Sequence, residues 1–98
     1  MVIVLASVLL KAENLDRALA SSLVHCARSR AEPGCVSHAV HRDAANPNRL
    51  VFVEEWSDPA AVAAHFAVPA SQAFVQEVTA LAETPPVLRM FEATPLSL

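Results

Sequence analysis

The sequence predicts an α+β protein with the ferredoxin-like order βαββαβ, in which helices cover one face of a four-stranded antiparallel sheet. Four segments, residues 2–10, 35–42, 50–56 and 87–94, have the β-branched or alternating character of strands. Apolar residues recur at helical spacing between the first and second of these strands and between the third and fourth. The order of the two patterns is that of a split βαβ fold. A chain of 98 residues is expected to form one domain, residues 1–98.

The first strand is expected to be buried on both faces, whereas the first helix is expected to bury only one apolar stripe. Residues 2–10 are apolar at nearly every position, which is typical of a strand covered on both faces. Asn14 is a plausible N-cap for a helix that ends before Glu32-Pro33-Gly34. The predicted buried stripe of this helix consists of Leu15, Leu19, Ser22, Leu23 and Cys26. His25 lies outside the stripe, so it is expected in solvent.

The second half begins with a predicted antiparallel hairpin, in which the turn residues 43–48 join the strands 35–42 and 50–56. Ser57 or Asp58 can cap the next helix, with Pro59 at its first position. Pro69 divides the helical region into residues 59–67 and 70–82. Pro85-Pro86 then ends the second helix before the last strand.

The composition predicts self-association. Apolar residues make up 54% of the chain and charged residues only 17%, which is more apolar surface than a small monomer can bury. Since the predicted helices leave one sheet face bare, two copies are expected to stack their sheets into a dimeric α+β barrel.

Several partners and locations are disfavoured. The net charge of −3, without a basic stripe, argues against nucleic acid. The apolar run at residues 2–10 is too short to span a membrane and has no basic residue before it, so no membrane partner is expected. Cys26 and Cys35 lack the spacing of a redox or zinc pair, which favours free thiols and a cytoplasmic location.

The corner between the third strand and the next helix is the predicted site of chemistry. A period of two places Glu54 and Trp56 on one strand face with Leu50 and Phe52, while Glu55 points to the other face. Helical spacing from Pro59 turns His65 back toward that strand. The corner therefore brings together a carboxylate, an indole and an imidazole.

Cofactor-binding patterns are not found. His38 and His41 fall on opposite faces of a strand, so one metal ion cannot bind both, and no metal site is predicted. The single glycine excludes the glycine-rich nucleotide loops. No cofactor is expected. His38 shares a face with Val40 and is a candidate for lining a pocket.

These motifs resemble those of the antibiotic biosynthesis monooxygenase-like family of dimeric α+β barrels. The resemblance covers most of the chain and rests on Glu32-Pro33-Gly34-Cys35, Arg42-Asp43, Asn46-Pro47, the Glu54-x-Trp56 pair and His65. It departs from the family at Ala70-Ser71, where a His-Phe pair is common after the proline. The first strand also lacks the Asn used by haem-degrading relatives, which disfavours that reaction.

The resemblance implies a monooxygenase that acts on an aromatic phenol or quinol with molecular oxygen and without flavin, haem or metal. The implied catalytic residues are His65 as the base, Trp56 as a hydrogen-bond donor and pocket wall, and Glu54 as the partner of the imidazole. The implied substrate-binding residues are Phe66, Phe74, Phe52 and His38. Two alternatives remain open. One is a non-catalytic dimeric α+β barrel that binds a small apolar metabolite, or nothing, with the corner residues serving only for packing; the other is an isomerase or lyase on the same fold.

Overall fold

The computed structural model describes residues 1–98 and has the predicted order of elements. The strands are β1 (Val2–Leu9), β2 (Cys35–Arg42), β3 (Arg49–Trp56) and β4 (Val87–Glu92). The helices are α1 (Leu15–Ser29), α2 (Pro59–Ala67) and α3 (Pro69–Leu81), and a short 3-10 turn (Ala12–Asn14) precedes α1. The predicted split of the second helical region at Pro69 is confirmed. None of the helices is both long and apolar enough to cross a lipid bilayer.

The four strands form one antiparallel sheet in the order β2-β3-β1-β4, with the helices on one side. In β3, Leu50, Phe52, Glu54 and Trp56 are buried under the helices, while the alternate residues are only half-buried. The predicted period of two and the ferredoxin-like fold are thus confirmed. Because Glu54 pairs with Val4 of β1 and with His38 of β2, the middle of the helix-covered face carries a buried carboxylate and a buried imidazole.

The face of α1 that packs on the sheet is rotated from the predicted stripe. Its buried residues are Leu15, Ala18, Ser22, His25, Cys26 and Ser29, whereas Leu23 is 55% exposed. The small residues bring the helix close to the sheet, and Ser22 and Ser29 satisfy their hydroxyls by donating to the carbonyls of Ala18 and His25. The expectation that His25 lies in solvent is therefore wrong.

Helix ends follow the predicted signals in part. Asp58 caps α2 by accepting a hydrogen bond from the backbone N–H of Ala61 at 2.8 Å, as the sequence predicts. Asn14 occupies the predicted N-cap position of α1, but its side chain does not cap the helix. It donates instead to the carbonyl of Leu81 at 3.3 Å, which fastens the start of α1 to the end of α3.

The turn Glu32–Gly34, called here the EPG turn, docks against the start of α2. Gly34 has a φ of +83°, a region that residues with a Cβ rarely adopt. Its carbonyl accepts a hydrogen bond from the backbone N–H of Ser57 at 2.8 Å. A Cβ at Gly34 would lie 2.5 Å from Cβ of Ala61 and 2.8 Å from Oγ of Ser57. The glycine is therefore needed both for the turn and for its close approach to α2.

The opposite sheet face is not covered by any helix. We call it the open sheet face; it carries the side chains that alternate with the buried ones, among them Ile3, Leu5, Val53, Val87 and Phe91. All six residues of β4 are exposed, including Leu88 and Met90 on the helix side. Strand β4 is thus an apolar edge left uncovered on both faces.

We predict that Gly34→Ala destabilises the protein by about 2 to 4 kcal/mol, the sum of a strained φ and an overpacked contact. Urea unfolding followed by circular dichroism measures the loss. The double variant Gly34→Ala/Ala61→Gly removes the contact with Cβ of Ala61 but keeps the strained φ and the contact with Oγ of Ser57, so it should recover only part of the loss. A Gly34→Ala protein as stable as wild type would contradict the role given to this residue.

Candidate active site

A cavity of about 300 Å³ lies between the helices and the β1–β4 half of the sheet. This volume is at the lower end of the range for small-molecule pockets. The exposed surface of its lining is largely apolar, although six of its sixteen residues have polar side chains. The aromatic part of the lining is Phe52, Phe66 and Phe74, and the polar part includes His25, Glu54, His65 and Ser71.

His65 presents a fixed tautomer to this cavity. The ring is 2% exposed, and its Nδ1 lies 2.9 Å from Oε1 of Glu32 in the EPG turn. Since a carboxylate only accepts hydrogen bonds, Nδ1 carries the proton in the neutral form of the ring, and Nε2 then has the lone pair. His65 follows Ala61 by one helical turn, so the face of α2 that packs on Gly34 also meets Glu32. The predicted partner, Glu54, has its Oε1 4.0 Å from Nε2 of His65, beyond hydrogen-bond distance.

Glu54 and Trp56 are bonded to each other. The indole Nε1–H of Trp56 donates to Oε1 of Glu54 at 2.9 Å, and both side chains are buried. Burial raises the pKa of the Glu54 carboxyl, and the hydrogen bond from Trp56 opposes that rise. The Trp56 ring packs against His65 with centroids 4.6 Å apart. Glu54 lines the cavity, whereas Trp56 lies behind His65 and supports its ring.

His25 is the site residue that sequence reasoning missed. It is 6% exposed and stacks on Phe74 with ring centroids 4.0 Å apart and planes 6° apart. Its Nδ1 lies 2.8 Å from Nη2 of Arg28. The same guanidinium pairs with Oε2 of Glu32 at 3.0 Å and donates to Oγ of Ser71 at 3.1 Å. The spacing of three residues from His25 to Arg28 and of four from Arg28 to Glu32 allows these side chains to meet. That spacing is the sequence signal that could have identified His25 as a site residue.

His38 is buried beside the cavity but does not line it. Its Nε2 is 3.3 Å from Oε1 of Glu54 but lacks hydrogen-bond geometry. Neither ring nitrogen has a hydrogen-bond partner. The pKa of His38 is lowered to about 4, mainly by burial and secondly by the neighbouring His65. Burial, followed by His38, lowers the pKa of His25 to about 3. Both rings are therefore neutral at neutral pH.

The three histidines are also the group that could hold a transition-metal ion. One ring nitrogen from each of His25, His38 and His65 lies within 4.8 Å of the others. A metal ligand must offer a lone pair, and Arg28 already donates to Nδ1 of His25. Because the proton of this neutral ring then sits on Nε2, the triad offers two free imidazole lone pairs rather than three. The residues thus do not fit a three-histidine metal site while Arg28 stays in place.

The cysteines take no part in this cluster as nucleophiles. Both are free thiols, as the sequence predicts, with Cys26 buried and Cys35 half-buried. Burial raises the pKa of Cys26 to about 11 and also raises that of Cys35. Both therefore stay protonated at neutral pH, and a thiol reacts far less readily than a thiolate.

We predict acid sensitivity from the two neutral histidines. Below the ordinary imidazole pKa of 6.5, the unfolded chain binds protons that folded His25 and His38 refuse, so stability falls as the pH drops toward 4. The raised pKa of Glu54 acts in the opposite sense, because its protonation in the folded state favours folding as the pH drops.

The variant His38→Met isolates one of these contributions. It should resist acid better than wild type, by about 1 to 2 kcal/mol at pH 5 relative to pH 8. Urea unfolding at both pH values measures the difference, with the exposed His41→Met as the matched control. Parallel pH profiles for His38→Met and wild type would contradict the prediction.

Comparison with known proteins places this site in a family context. The model of the antibiotic biosynthesis monooxygenase family matches residues 1–77. A solved structure titled antibiotic biosynthesis monooxygenase is 28% identical, with a TM-score of 0.89 over 97% of this chain and 100% of its own. A Mycobacterium tuberculosis protein shares the fold, with 21% identity and a TM-score of 0.90 over 99% of this chain and 98% of its own.

Among curated sequences, an uncharacterized protein from Synechocystis sp. is similar. It is 28% identical over 93% of this chain, which spans 62% of that relative's length. The family match extends from β1 through α3 up to Glu77 and includes the EPG turn, the Glu54-x-Trp56 pair and His65. The chain belongs to the antibiotic biosynthesis monooxygenase family.

Proposed function

We propose that this protein oxygenates an aromatic phenol or quinol with molecular oxygen, using no flavin, haem or metal. The observation that carries the proposal is the Glu32–His65 pair at an apolar cavity, because it leaves the Nε2 lone pair of a buried imidazole available as a base. The family match supports the reaction class. The choice of a phenol or quinol follows from the resemblance to the family, and a cavity with aromatic walls and an imidazole is compatible with such a ligand.

The reaction balances without an external reductant. Nε2 of His65 takes the hydroxyl proton, and the electron-rich phenolate passes an electron to oxygen. The two radicals combine into a C–O bond at a ring carbon that carries hydrogen. Loss of water from the resulting hydroperoxide leaves a quinone. One oxygen atom of O2 becomes the new carbonyl, and the other leaves as water with the two hydrogens of the substrate.

Glu32 gives His65 the features that a base needs. Its carboxylate orients the ring through Nδ1 and stabilises the imidazolium that forms when Nε2 takes a proton. Trp56 packs on the ring and restricts its movement. In this proposal Trp56 positions the base from behind, and Glu54, bonded to Trp56, holds that indole in place.

The apolar wall provides the environment for the oxygen step. Phe52, Phe66 and Phe74 line the cavity, and Phe52 meets Phe74 edge-on with ring centroids 6.0 Å apart. Such a wall favours a flat aromatic ligand and excludes water from the phenolate. His38, set behind this wall, contributes to the surroundings of Glu54 in the proposal and not to direct contact with the ligand.

We propose further that the protein works as a homodimer in the cytoplasm. The open sheet face and the exposed apolar side chains of β4 need a cover, and a second copy of the same surface supplies one of matching apolarity. Because Leu88, on the helix side of β4, lines the cavity, a partner that covers β4 would help to close it. The two free thiols suit a reducing compartment.

We expect purified protein, verified free of metal and flavin, to consume oxygen with polycyclic and monocyclic quinols above their autoxidation. His65→Ala should lower kcat/KM by about 100-fold or more, since a general base contributes that much. Glu32→Gln should lower kcat by about 10-fold, because the imidazolium loses its anionic partner. An oxygen electrode measures the uptake, with His41→Ala and Glu13→Gln as matched exposed controls.

Three results would separate the alternatives. Uptake that is unaffected by His65→Ala would contradict the assignment of the base. No uptake with any quinol, together with loss of folding in His65→Ala, would favour a structural or binding role. Exchange of substrate C–H hydrogens with deuterium from solvent, without oxygen uptake, would favour an isomerase or lyase.

For the dimer, we predict that Leu5→Glu and Phe91→Glu together convert the protein to a monomer, since each places charge on the open sheet face. Val24→Glu is the control, because Val24 is an equally apolar residue, 70% exposed, on the outer surface of α1. Analytical ultracentrifugation gives the mass. A monomeric wild-type protein at the concentration of the activity assay would overturn the proposal.

A further inference from the structure

Arg28 determines which nitrogen of His25 carries a proton. Its Nη2 lies 2.8 Å from Nδ1 of His25, and a guanidinium can only donate hydrogen bonds. Nδ1 must therefore accept, so it holds a lone pair. The remaining proton of the neutral ring is then on Nε2. A doubly protonated His25 would point an N–H at the N–H of Arg28, which this contact does not allow.

His65 has the opposite tautomer for a related reason. Its Nδ1 faces a carboxylate oxygen of Glu32, which can only accept, so in the neutral ring the proton lies on Nδ1 and Nε2 is bare. The two controlling side chains are themselves paired, since Nη1 of Arg28 donates to Oε2 of Glu32 at 3.0 Å. One ion pair thus sets the tautomers of two neighbouring imidazoles, whose ring centroids are 5.3 Å apart.

We propose that His25 is a neutral hydrogen-bond donor in the site, which binds one ligand oxygen while His65 takes the proton from a second oxygen beside it. The inference rests on the proposed function in placing the ligand in the cavity that both rings line. The His25 and His65 ring centroids are 5.3 Å apart, and because Nδ1 of each ring is engaged by Arg28 or Glu32, Nε2 is the nitrogen that each ring has left for a ligand. Two imidazoles this close can reach oxygens on adjacent ring carbons, whereas the oxygens of a para-quinol lie at opposite ends of the ring.

The surroundings keep His25 a donor. Burial and the nearby His38, His65 and Arg28 lower its pKa to about 3, so the ring stays neutral while still donating through Nε2. Glu32 does not contact His25 directly and accepts from Arg28 instead. Stacking on Phe74 fixes the plane of the ring. The donor therefore has a fixed direction, as is required to select among ligand oxygens.

Imidazole nitrogen NMR tests the tautomers without any ligand. In two-bond nitrogen–proton correlation spectra of the 15N-labelled protein at neutral pH, we expect His25 to show a bare Nδ1 and a protonated Nε2, and His65 the reverse. Arg28→Met should release His25 into a mixture of tautomers, while Arg28→Lys, which can only donate, should restore the wild-type pattern. A protonated Nδ1 on His25 in the wild-type protein would overturn the proposal.

Anaerobic binding of two isomers tests the consequence for ligands. Catechol, with adjacent oxygens, should bind about 5-fold more tightly than hydroquinone, which corresponds to one hydrogen bond. His25→Phe keeps an aromatic ring against Phe74 but removes the donor, so it should abolish the preference. Equal affinities of the wild-type protein for catechol and hydroquinone would contradict the proposed selection of adjacent oxygens.

The two experiments also separate this inference from the proposed oxygenation. A catechol preference that His25→Phe abolishes, in a protein that takes up no oxygen, would uphold the donor and reject the oxygenase. Oxygen uptake that depends on His65, without a preference between the isomers, would uphold the oxygenase and reject the role of His25 in selecting the ligand. The NMR result stands independently of either, because it needs no turnover.

Discussion

The candidate site depends on the two contacts that the carboxylate of Glu32 makes. One oxygen accepts from Nδ1 of His65 and the other pairs with Arg28, so a single side chain joins α2 to α1 across the end of the sheet. The side chain reaches this position because Gly34 turns the chain tightly against Ala61. A backbone conformation that favours glycine therefore places the carboxylate that binds a histidine more than thirty residues away in the sequence.

Burying several ionisable groups together has a cost in stability. His25 and His38 are neutral because charging them in this environment is unfavourable, and the two ring nitrogens of His38 lack hydrogen-bond partners altogether. An apolar residue would serve packing better at that position. A buried histidine without hydrogen-bond partners beside Glu54 is typical of a functional site, where ionisable groups are retained although they lower the stability of the fold.

The sheet could be predicted because its signal is local. In β3 the alternation of Leu50, Phe52, Glu54 and Trp56 with half-buried residues follows from the pleat itself, and Asp58 and Pro59 mark the start of α2 by their backbone chemistry. The same alternation placed Glu54 under the helices. These features need no knowledge of what packs above the strand.

The rest of the site depends on contacts between distant segments, which periodicity does not encode. The pattern of large apolar residues draws the α1 stripe through Leu19 and Leu23 and so places His25 in solvent, whereas the buried face passes through the small residues Ala18 and Ser29 and includes His25. Glu32 was interpreted as part of a helix stop, and its contact with His65 spans 33 positions. Glu54 is closer to His65 in the sequence than Glu32 is, but its carboxylate accepts a hydrogen bond from Trp56 and not from His65.

The departure from the family pattern at Ala70-Ser71 fits this revised site. A His-Phe pair there would place large side chains where Ser71 now lies, buried and in contact with the cavity. The small hydroxyl leaves room for Arg28, which donates to it at 3.1 Å. Next to this contact, His25 of α1 stacks on Phe74 of α3, so the imidazole and the aromatic ring of this wall come from two different helices. The start of α3 and the Arg28–His25 contact are thus parts of one arrangement, since the guanidinium that donates to Ser71 also fixes the tautomer of His25.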